Sequence, residues 1–248
     1  MSGDSKGVCL VIGAGDGVGG AIARAFAAEG HPVCITRRGR NLDQLEALAD
    51  SIRAEGGTAH CFGVDAREEA EMVALFDRIE GEIGPLEVVV FNIGANVRFS
   101  ITETTSRVFT KVWEMACFAG FLAGREAARV MQPRGRGTIL FTGASASLRG
   151  RDHFAAFAAA KHGLRAVAQS MARELGPKGI HIAHVVVDGA IDGTFLRSNL
   201  PLEAVEARLA EDSVLKPDAI ARNYVWLHNQ PRSAWTHELD LRPWSETW

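Results

Sequence analysis

The sequence predicts an α/β fold with one doubly wound parallel sheet of about seven strands and helices on both of its faces. Two observations support this prediction. Apolar segments alternate with helical patterns along nearly the whole chain, which is typical of right-handed strand–helix–strand crossovers. Most of these segments lack the polar residue at every second position that a half-exposed strand would have, so the strands are expected to be buried on both faces.

The predicted strands follow from short apolar runs between turn signals. The first run, residues 8–12, is continuously apolar. A helix follows it, because Ile22 and Phe26 lie on one helical face and Gly30 ends the pattern. The strands are predicted at residues 8–12, 32–36, 58–64, 86–91, 138–141 and 180–187, with a last one near 238–241.

Two of the predicted helices begin with the spacing of a capping box. Asn41 precedes Gln44 by three residues, and Asp65 precedes Glu68 in the same way, so each side chain is expected to cap the helix that follows it. The helices are predicted at residues 17–29, 41–55, 65 to near 83, 106–131 and 154–175, with two short ones before the last strand.

The composition excludes several classes of partner. The formal net charge is −3 and the basic residues are scattered, which argues against binding to nucleic acid. No apolar run approaches the roughly 20 residues of a membrane span, and residues 1–6 lack the apolar stretch of a signal peptide. We therefore expect a cytoplasmic protein without membrane association.

The four cysteines lie at positions 9, 34, 61 and 117 without metal-ligand spacing. Most of them fall in apolar, strand-like runs, so buried free thiols are expected rather than a metal site. Free thiols also agree with a reducing cytoplasm. No linker, repeat or low-complexity tract interrupts the chain, and we predict one domain over residues 1–248.

The strongest functional motif is the glycine-rich turn after the first strand. It reads Gly13-Ala14-Gly15-Asp16-Gly17-Val18-Gly19. Glycines let the backbone approach a pyrophosphate closely, and the N-terminus of the next helix offers free N–H groups to the anion. This turn predicts binding of NAD(H) or NADP(H).

The end of the second strand indicates which dinucleotide is bound. Arg37 and Arg38 stand where an acidic residue would bind the ribose 2′-OH of NAD, and an arginine suits the additional phosphate of NADP. Asp16 opposes this interpretation, because its carboxylate would repel a nearby 2′-phosphate. NADP(H) is therefore favoured and NAD(H) stays open. Asp65 is expected to bond the adenine amine, to cap its helix, or to do both.

Several motifs follow one another along the chain in the order typical of the short-chain dehydrogenase/reductase family, which this sequence therefore resembles. The matching segments are Gly13-x-x-x-Gly17-Val18-Gly19, Phe91-Asn92-Ile93-Gly94, Phe157-x-x-x-Lys161, Asp188-Gly189 followed by Thr194 (where the family has Pro-Gly and Thr), and the closing residues 236–240. The match covers essentially the whole chain. It implies a Rossmann-type fold, hydride transfer between nicotinamide and a small carbonyl or alcohol, and residues 189–215 as a substrate-side loop with short helices.

The resemblance and the glycine turn together give a set of expected cofactor-binding residues. They are Gly13, Gly15, Asp16, Gly17, Val18, Gly19, Arg37, Arg38, Asp65, Asn92, Gly94, Lys161, Gly189, Ile191 and Thr194.

The catalytic motif departs from the family at three of four positions. Phe157 stands in place of the acid/base tyrosine, Ala144 in place of the serine that bonds the substrate oxygen, and Ala116 in place of the helix asparagine; Lys161 is kept. A positioned acid or base contributes about 10²–10⁴-fold to a rate, so proton transfer here needs a substitute.

Five residues are candidates for the missing polar groups. His153 would share a helix face with Phe157 and Lys161 if that helix began a turn early, and Asp152 would orient it or cap the helix. Ser145 follows Ala144, although one step along an extended chain would direct its side chain the other way. Asn96 and Arg98 follow the fourth strand, where Arg98 would meet a carboxylate.

The alanine-rich helix from residue 154 is slim enough for close approach of another helix, and the resemblance implies a homodimer or homotetramer. The tryptophans of the C-terminal segment cover either a neighbouring subunit or the chain's own core. Three functions stay open: an oxidoreductase with an altered site, a non-catalytic NADP(H)-binding sensor or inactive subunit, and a scaffold that binds no dinucleotide.

Overall fold

The computed structural model describes residues 6–247, which form a seven-stranded, wholly parallel sheet in the order β3-β2-β1-β4-β5-β6-β7. The strands are β1 Val8–Ile12, β2 Val33–Arg37, β3 Ala59–Gly63, β4 Leu86–Phe91, β5 Gly137–Thr142, β6 Ile180–Val187 and β7 Glu238–Leu241. The strand order reverses between β1 and β4. A crevice at such a switch point is where doubly wound sheets bind ligands.

Helices cover both faces of the sheet. They are α1 Val18–Ala28, α2 Leu42–Ala54, α3 Glu69–Glu82, α4 Ser106–Trp113, α5 Ala119–Met131, α6 Ala155–Leu175, α7 Thr194–Asn199, α8 Leu202–Ala210 and α9 Pro217–His228. One core, with Ile22, Leu45 and Tyr224, joins α1, α2 and α9 to the sheet. The other, which includes Leu122 and Leu164, joins α3, α5 and α6 to the opposite face. The predicted fold class is confirmed.

The predicted capping boxes do not form. Asn41 makes no side-chain cap bond, and Gln44 instead accepts a hydrogen bond from Arg37 at 2.8 Å. Helix α3 begins four residues after Asp65, whose carboxylate pairs with Arg67. In both cases an arginine side chain competes successfully for the group that the spacing assigned to a cap.

The long helix predicted over residues 106–131 is interrupted. Glu114–Phe118 adopt a π-helical turn between α4 and α5. Such a turn inserts one residue relative to a regular α-helix, so every side chain after it is rotated with respect to the predicted face.

The four cysteines are free thiols, with Cys61 half-buried and the other three buried. The tryptophan-rich C-terminal segment uses its rings in two ways: Trp235 stacks on His181, while Trp244 is 80% exposed. Within residues 6–247, no helix is both long and apolar enough to span a membrane.

Candidate functional site

The glycine turn is shaped by close backbone packing. Gly13 has a φ of 91°, a conformation that favours glycine, and its N–H donates to the carbonyl of Thr36 at 3.1 Å. A Cβ on Gly19 would overlap the carbonyl oxygen of Gly13, and Asn92 Nδ2 donates to the same oxygen at 3.2 Å. The turn is thereby fixed against the ends of β2 and β4, with the start of α1 above it.

Two glycines leave room along this turn for a bound group. A Cβ on Gly17 or on Gly94 would meet no atom of the described residues within 4 Å. The open space lies beside the N-terminus of α1, whose free N–H groups attract anions. These residues therefore fit the pyrophosphate of a dinucleotide.

The cleft has two ends, which meet at Asn92 and Gly94. One, which we call the adenosine end, includes the predicted residues Gly13, Gly15, Arg37, Arg38 and Asp65. The other, the reactive end, includes Asp16, Gly17, Val18, Lys161, Gly189, Ile191 and Thr194. Of the predicted cofactor residues, Gly19 alone lines neither end, since it packs beneath the turn.

Arg37 stands directly beside the glycine turn at the adenosine end. Its guanidinium lies 3.7–3.9 Å from the position that a Cβ on Gly15 would take. Asp16, in contrast, lines the reactive end, where its carboxylate accepts a hydrogen bond from the Thr194 hydroxyl at 2.7 Å. The expected repulsion between Asp16 and a 2′-phosphate is thus not supported by the geometry, because Asp16 faces the segment after β6.

Asp65 has a basic partner that sequence reasoning missed. Arg67 donates to both of its carboxylate oxygens, at 2.9 and 2.6 Å, and this hydrogen bonding holds the pKa of Asp65 below its usual value. Arg67 lines the adenosine end together with Asp65. The role of Asp65 as a helix cap is excluded, and its carboxylate at the cleft is already paired.

Lys161 lies buried at the floor of the reactive end. Its Nζ donates to the carbonyl oxygens of Ile93 at 3.1 Å and Thr142 at 2.8 Å. Burial lowers the pKa of Lys161 to about 8. The ring of Phe157 stands 6.0 Å from Nζ, measured to the ring centroid, so an aromatic face covers the ammonium where the family has a hydroxyl.

The residues at the two lost hydroxyl positions do line the reactive end. Ala144 and Phe157 are half-buried there, and Ser145 lies beside them. The expected outward direction of Ser145 assumed an extended chain, but Ser145–Ser147 form a 3₁₀ turn. The turn changes the side-chain direction that period-two alternation predicts, and Ser145 becomes a pocket residue.

Cys117 interacts electrostatically with Lys161. It lies in the π-helical turn, its Sγ is 2.8 Å from the position of a Cβ on Gly163, and the charge of Lys161 opposes the rise that burial causes in the pKa of its thiol. Ala116, which the alignment placed at the asparagine position, lies in the same apolar cluster as Cys117.

His153 does not share the face of Phe157 and Lys161. Helix α6 begins only at Ala155, and His153 precedes it with a φ of 66°. Its side chain is 41% exposed, lies 3.5 Å from Asp152, and is not among the residues of the reactive end. The helix does not begin a turn early, so the condition on which His153 was a candidate is not met.

Of the two candidates after β4, Asn96 lines the reactive end and Arg98 does not. Asn96 thus brings an amide to the substrate side of the cleft. The expected meeting of Arg98 with a carboxylate in this pocket has no support from its position.

Sequence relationships agree with this geometry. The family model for short chain dehydrogenase matches residues 7–203. The chain is 34% identical over 191 residues to the 3-oxoacyl-acyl-carrier-protein reductase MabA of Mycobacterium avium, covering 76% of this chain and 69% of that protein. It is 31% identical over 176 residues to a short-chain dehydrogenase/reductase of Armillaria gallica, covering 71% and 67%. The chain belongs to the short-chain dehydrogenase/reductase family.

Solved structures extend the similarity over nearly the whole chain. A short-chain dehydrogenase from Rhodopseudomonas palustris is 49% identical, with a TM-score of 0.81, and the match covers 96% of this chain and 99% of that one. The actinorhodin polyketide ketoreductase, solved as a tryptophan variant with NADPH, is 23% identical with a TM-score of 0.88 over 98% of both chains, a likeness of fold. This short-chain dehydrogenase/reductase therefore has the fold of a family of oxidoreductases.

Proposed function

We propose that this chain is an NADP(H)-dependent oxidoreductase that transfers hydride between nicotinamide and a small carbonyl or alcohol. The observation that carries the proposal is the single cleft in which the glycine turn, the arginine pair and Lys161 meet, joined through Asn92 and Gly94. When bound, the nicotinamide supplies the hydride.

The preference for NADP(H) rests on charge. Arg37 and Arg38 line the adenosine end, where a 2′-phosphate accepts bidentate hydrogen bonds from a guanidinium. The related ketoreductase structure contains NADPH, in agreement with this preference. NAD(H) lacks that phosphate and gains nothing from the arginines.

At the reactive end, Lys161 is our candidate both for binding the nicotinamide ribose and for donating a proton to the substrate oxygen. Two N–H groups of its ammonium are held by backbone carbonyls, and the third is available for the nicotinamide ribose or for a substrate oxygen. Its pKa of about 8 suits proton donation near neutral pH. The other ionisable residues of this end are Asp16, bonded to Thr194, and Asp192, paired with Arg197.

Ser145 and Asn96 are proposed to orient the substrate oxygen, since both line the pocket. Neither is an acid at neutral pH, so their contribution is hydrogen bonding to the oxygen that develops negative charge. Proton transfer then falls to Lys161 Nζ.

The alternative is a non-catalytic NADP(H)-binding sensor or an inactive subunit. It is favoured by Ala144 and Phe157, which remove both hydroxyls, and by the engagement of Lys161 with two backbone carbonyls, as in a structural lysine.

Formation of a homo-oligomer is compatible with either function. Trp113, Phe118 and Phe121 form a stacked, partly exposed row on α4–α5 that we propose as the contact between copies.

The experiment combines binding with turnover. Calorimetry with NADPH and NADH tests the cofactor, and NADPH oxidation with a panel of aldehydes and ketones tests the reaction. Turnover that is lost in Lys161→Met supports the oxidoreductase. Binding without turnover, together with activity gained by the double variant Phe157→Tyr/Ala144→Ser, supports the non-catalytic alternative.

A further inference from the structure

A buried carboxylate stands at the root of the substrate-side segment. Asp188 directly follows β6 and is 1% exposed. Each of its oxygens accepts a hydrogen bond of 2.9 Å from the Arg149 guanidinium, and Arg242 approaches it at 3.4 Å. The family motif that this position resembles has a proline here, which has no carboxylate.

The cluster connects the two walls of the reactive end. The Arg149 N–H donates to the carbonyl of Ser145 at 3.1 Å, so Arg149 closes the turn that presents Ser145. On the other side, Asp188 precedes Gly189, which has a φ of 152°. Gly189 begins the segment 189–194, which lines the reactive end and which we call the 189–194 wall.

The C-terminal segment supports this wall from behind. A Cβ on Gly189 would lie 2.6 Å from Pro243 Cδ, and Pro243 is the neighbour of Arg242. Asp188 also donates its backbone N–H to the carbonyl of Leu241 at 2.8 Å. The Arg242 guanidinium is hydrogen-bonded to Asp240 and lies within ion-pair distance of Asp188. The C-terminal segment is thus joined to Asp188 by one backbone hydrogen bond and one longer ion pair.

An unpaired carboxylate would be strongly destabilised in such a buried position, so each segment is held where it can keep the carboxylate paired. We infer that Asp188, Arg149 and Arg242 are positioning residues that set the spacing between the Ser145 turn and the 189–194 wall, and thereby seat the nicotinamide half of the cofactor. The inference rests on the proposed binding of NADP(H). Lys161 is independent of this cluster, because Ile93 and Thr142 hold it.

The test compares two ligands that both bind at the adenosine end but differ in whether they reach the reactive end. NADPH fills both ends of the proposed site, whereas adenosine 2′,5′-bisphosphate reaches only the adenosine end. In Arg149→Met and in Asp188→Asn, we expect calorimetry to show NADPH affinity reduced about tenfold or more and bisphosphate affinity unchanged. Arg149→Lys keeps the positive charge but cannot form the bidentate pair with Asp188, so its NADPH affinity should lie between those of Arg149→Met and the native chain.

Arg134→Met is the matched control. Arg134 also pairs with a carboxylate through two bonds, to Glu80, and bonds the carbonyl of Leu86, but it does so at the amino end of β4, whereas Asp188 follows the carboxyl end of β6. It should lower the melting temperature without changing either affinity. If Arg149→Met does not fold, Asp188→Asn, which keeps the side-chain shape, gives the same comparison.

The outcomes separate the two proposals. Equal loss of both ligands, or no loss of either, overturns the positioning role while NADP(H) binding stands. A native chain that binds the bisphosphate and NADPH equally well overturns it too, since the nicotinamide half would then contribute nothing. A native chain that binds neither ligand overturns the proposed function and the positioning role together.

Discussion

The two ends of the cleft differ in the groups that they offer to a ligand. The adenosine end has backbone turns and long cationic side chains. At the reactive end, the family motif has two hydroxyls, one amide and one amine, and this chain keeps only the amine. The adenosine end carries Gly13, Gly15 and Arg37, whereas Ala144 and Phe157 line the reactive end. The contrast suggests that holding a dinucleotide and moving a proton are separable properties of one fold. The two ends should therefore respond independently to substitution.

The largest effect is expected from Gly17→Val. A Cβ on Gly17 meets no atom of residues 6–247 within 4 Å, so a side chain there extends into the open space beside the N-terminus of α1. The valine should therefore fill the space for the pyrophosphate, so that NADPH binding falls by about a hundredfold or more. The melting temperature of the variant, measured alongside, shows that the protein tested by calorimetry is folded.

The control for this variant is Gly81→Ala, at another glycine with free space around a Cβ. It lies in α3, away from the cleft, and should raise stability by up to about 1 kcal/mol without altering NADPH affinity. Unchanged NADPH affinity in Gly17→Val would contradict the assignment of the turn as the pyrophosphate site.

The second effect concerns the charge of Lys161. Its pKa of about 8 in the folded chain lies below the ordinary value of 10.5 because burial disfavours the ammonium. The unfolded chain therefore binds more protons between these pH values, and folding stability should rise with pH across that interval. The full difference is on the order of 3 kcal/mol.

Denaturant titrations at pH 7 to 10.5 measure this effect against Lys161→Met, which lacks the titrating group. The stability of the native chain relative to this variant should increase with pH, while reductase turnover, which needs the ammonium, should fall above about pH 8. Lys111→Met, at an exposed position on α4, should show neither change. Parallel stability curves for the native chain and Lys161→Met would refute the lowered pKa.

The elements that sequence patterns predicted well are those determined by local composition. The predicted strand bounds fall within one or two residues of the observed ones, because apolar runs between turn residues leave little choice of register. The glycine turn could be predicted equally well from the sequence, because its shape depends on residues that lack a Cβ.

The reactive end was harder to predict, because its geometry depends on irregular backbone and on distant contacts. The π turn at 114–118 interrupts the helix that carries Ala116 and Cys117, and the 3₁₀ turn brings Ser145 into the pocket. No local pattern indicates either turn. The pairing of Asp188 with Arg149 joins residues 39 positions apart, which a single sequence does not reveal.

A smaller effect is expected from Arg37→Ala. The guanidinium beside Gly15 would pair with the 2′-phosphate of NADPH, and charged hydrogen bonds of this kind are worth about 1.5–3 kcal/mol. Affinity for NADPH should therefore fall about tenfold or more while affinity for NADH stays the same, measured by calorimetry. Arg40→Ala, at an exposed neighbour outside the cleft, should change neither. Equal loss of NADPH and NADH affinity would point to a structural role for Arg37 instead.

The smallest effect on function is expected at His153. Because its side chain is 41% exposed and lies outside the reactive end, His153→Ala should leave NADPH turnover and affinity within about twofold of the native values, well short of the roughly 10²-fold loss that removal of a general acid typically causes. His153→Gly should in addition raise the melting temperature slightly, since a φ of 66° costs glycine less than any residue with a Cβ. A hundredfold loss of turnover in both variants would contradict this expectation and restore His153 as the proton donor.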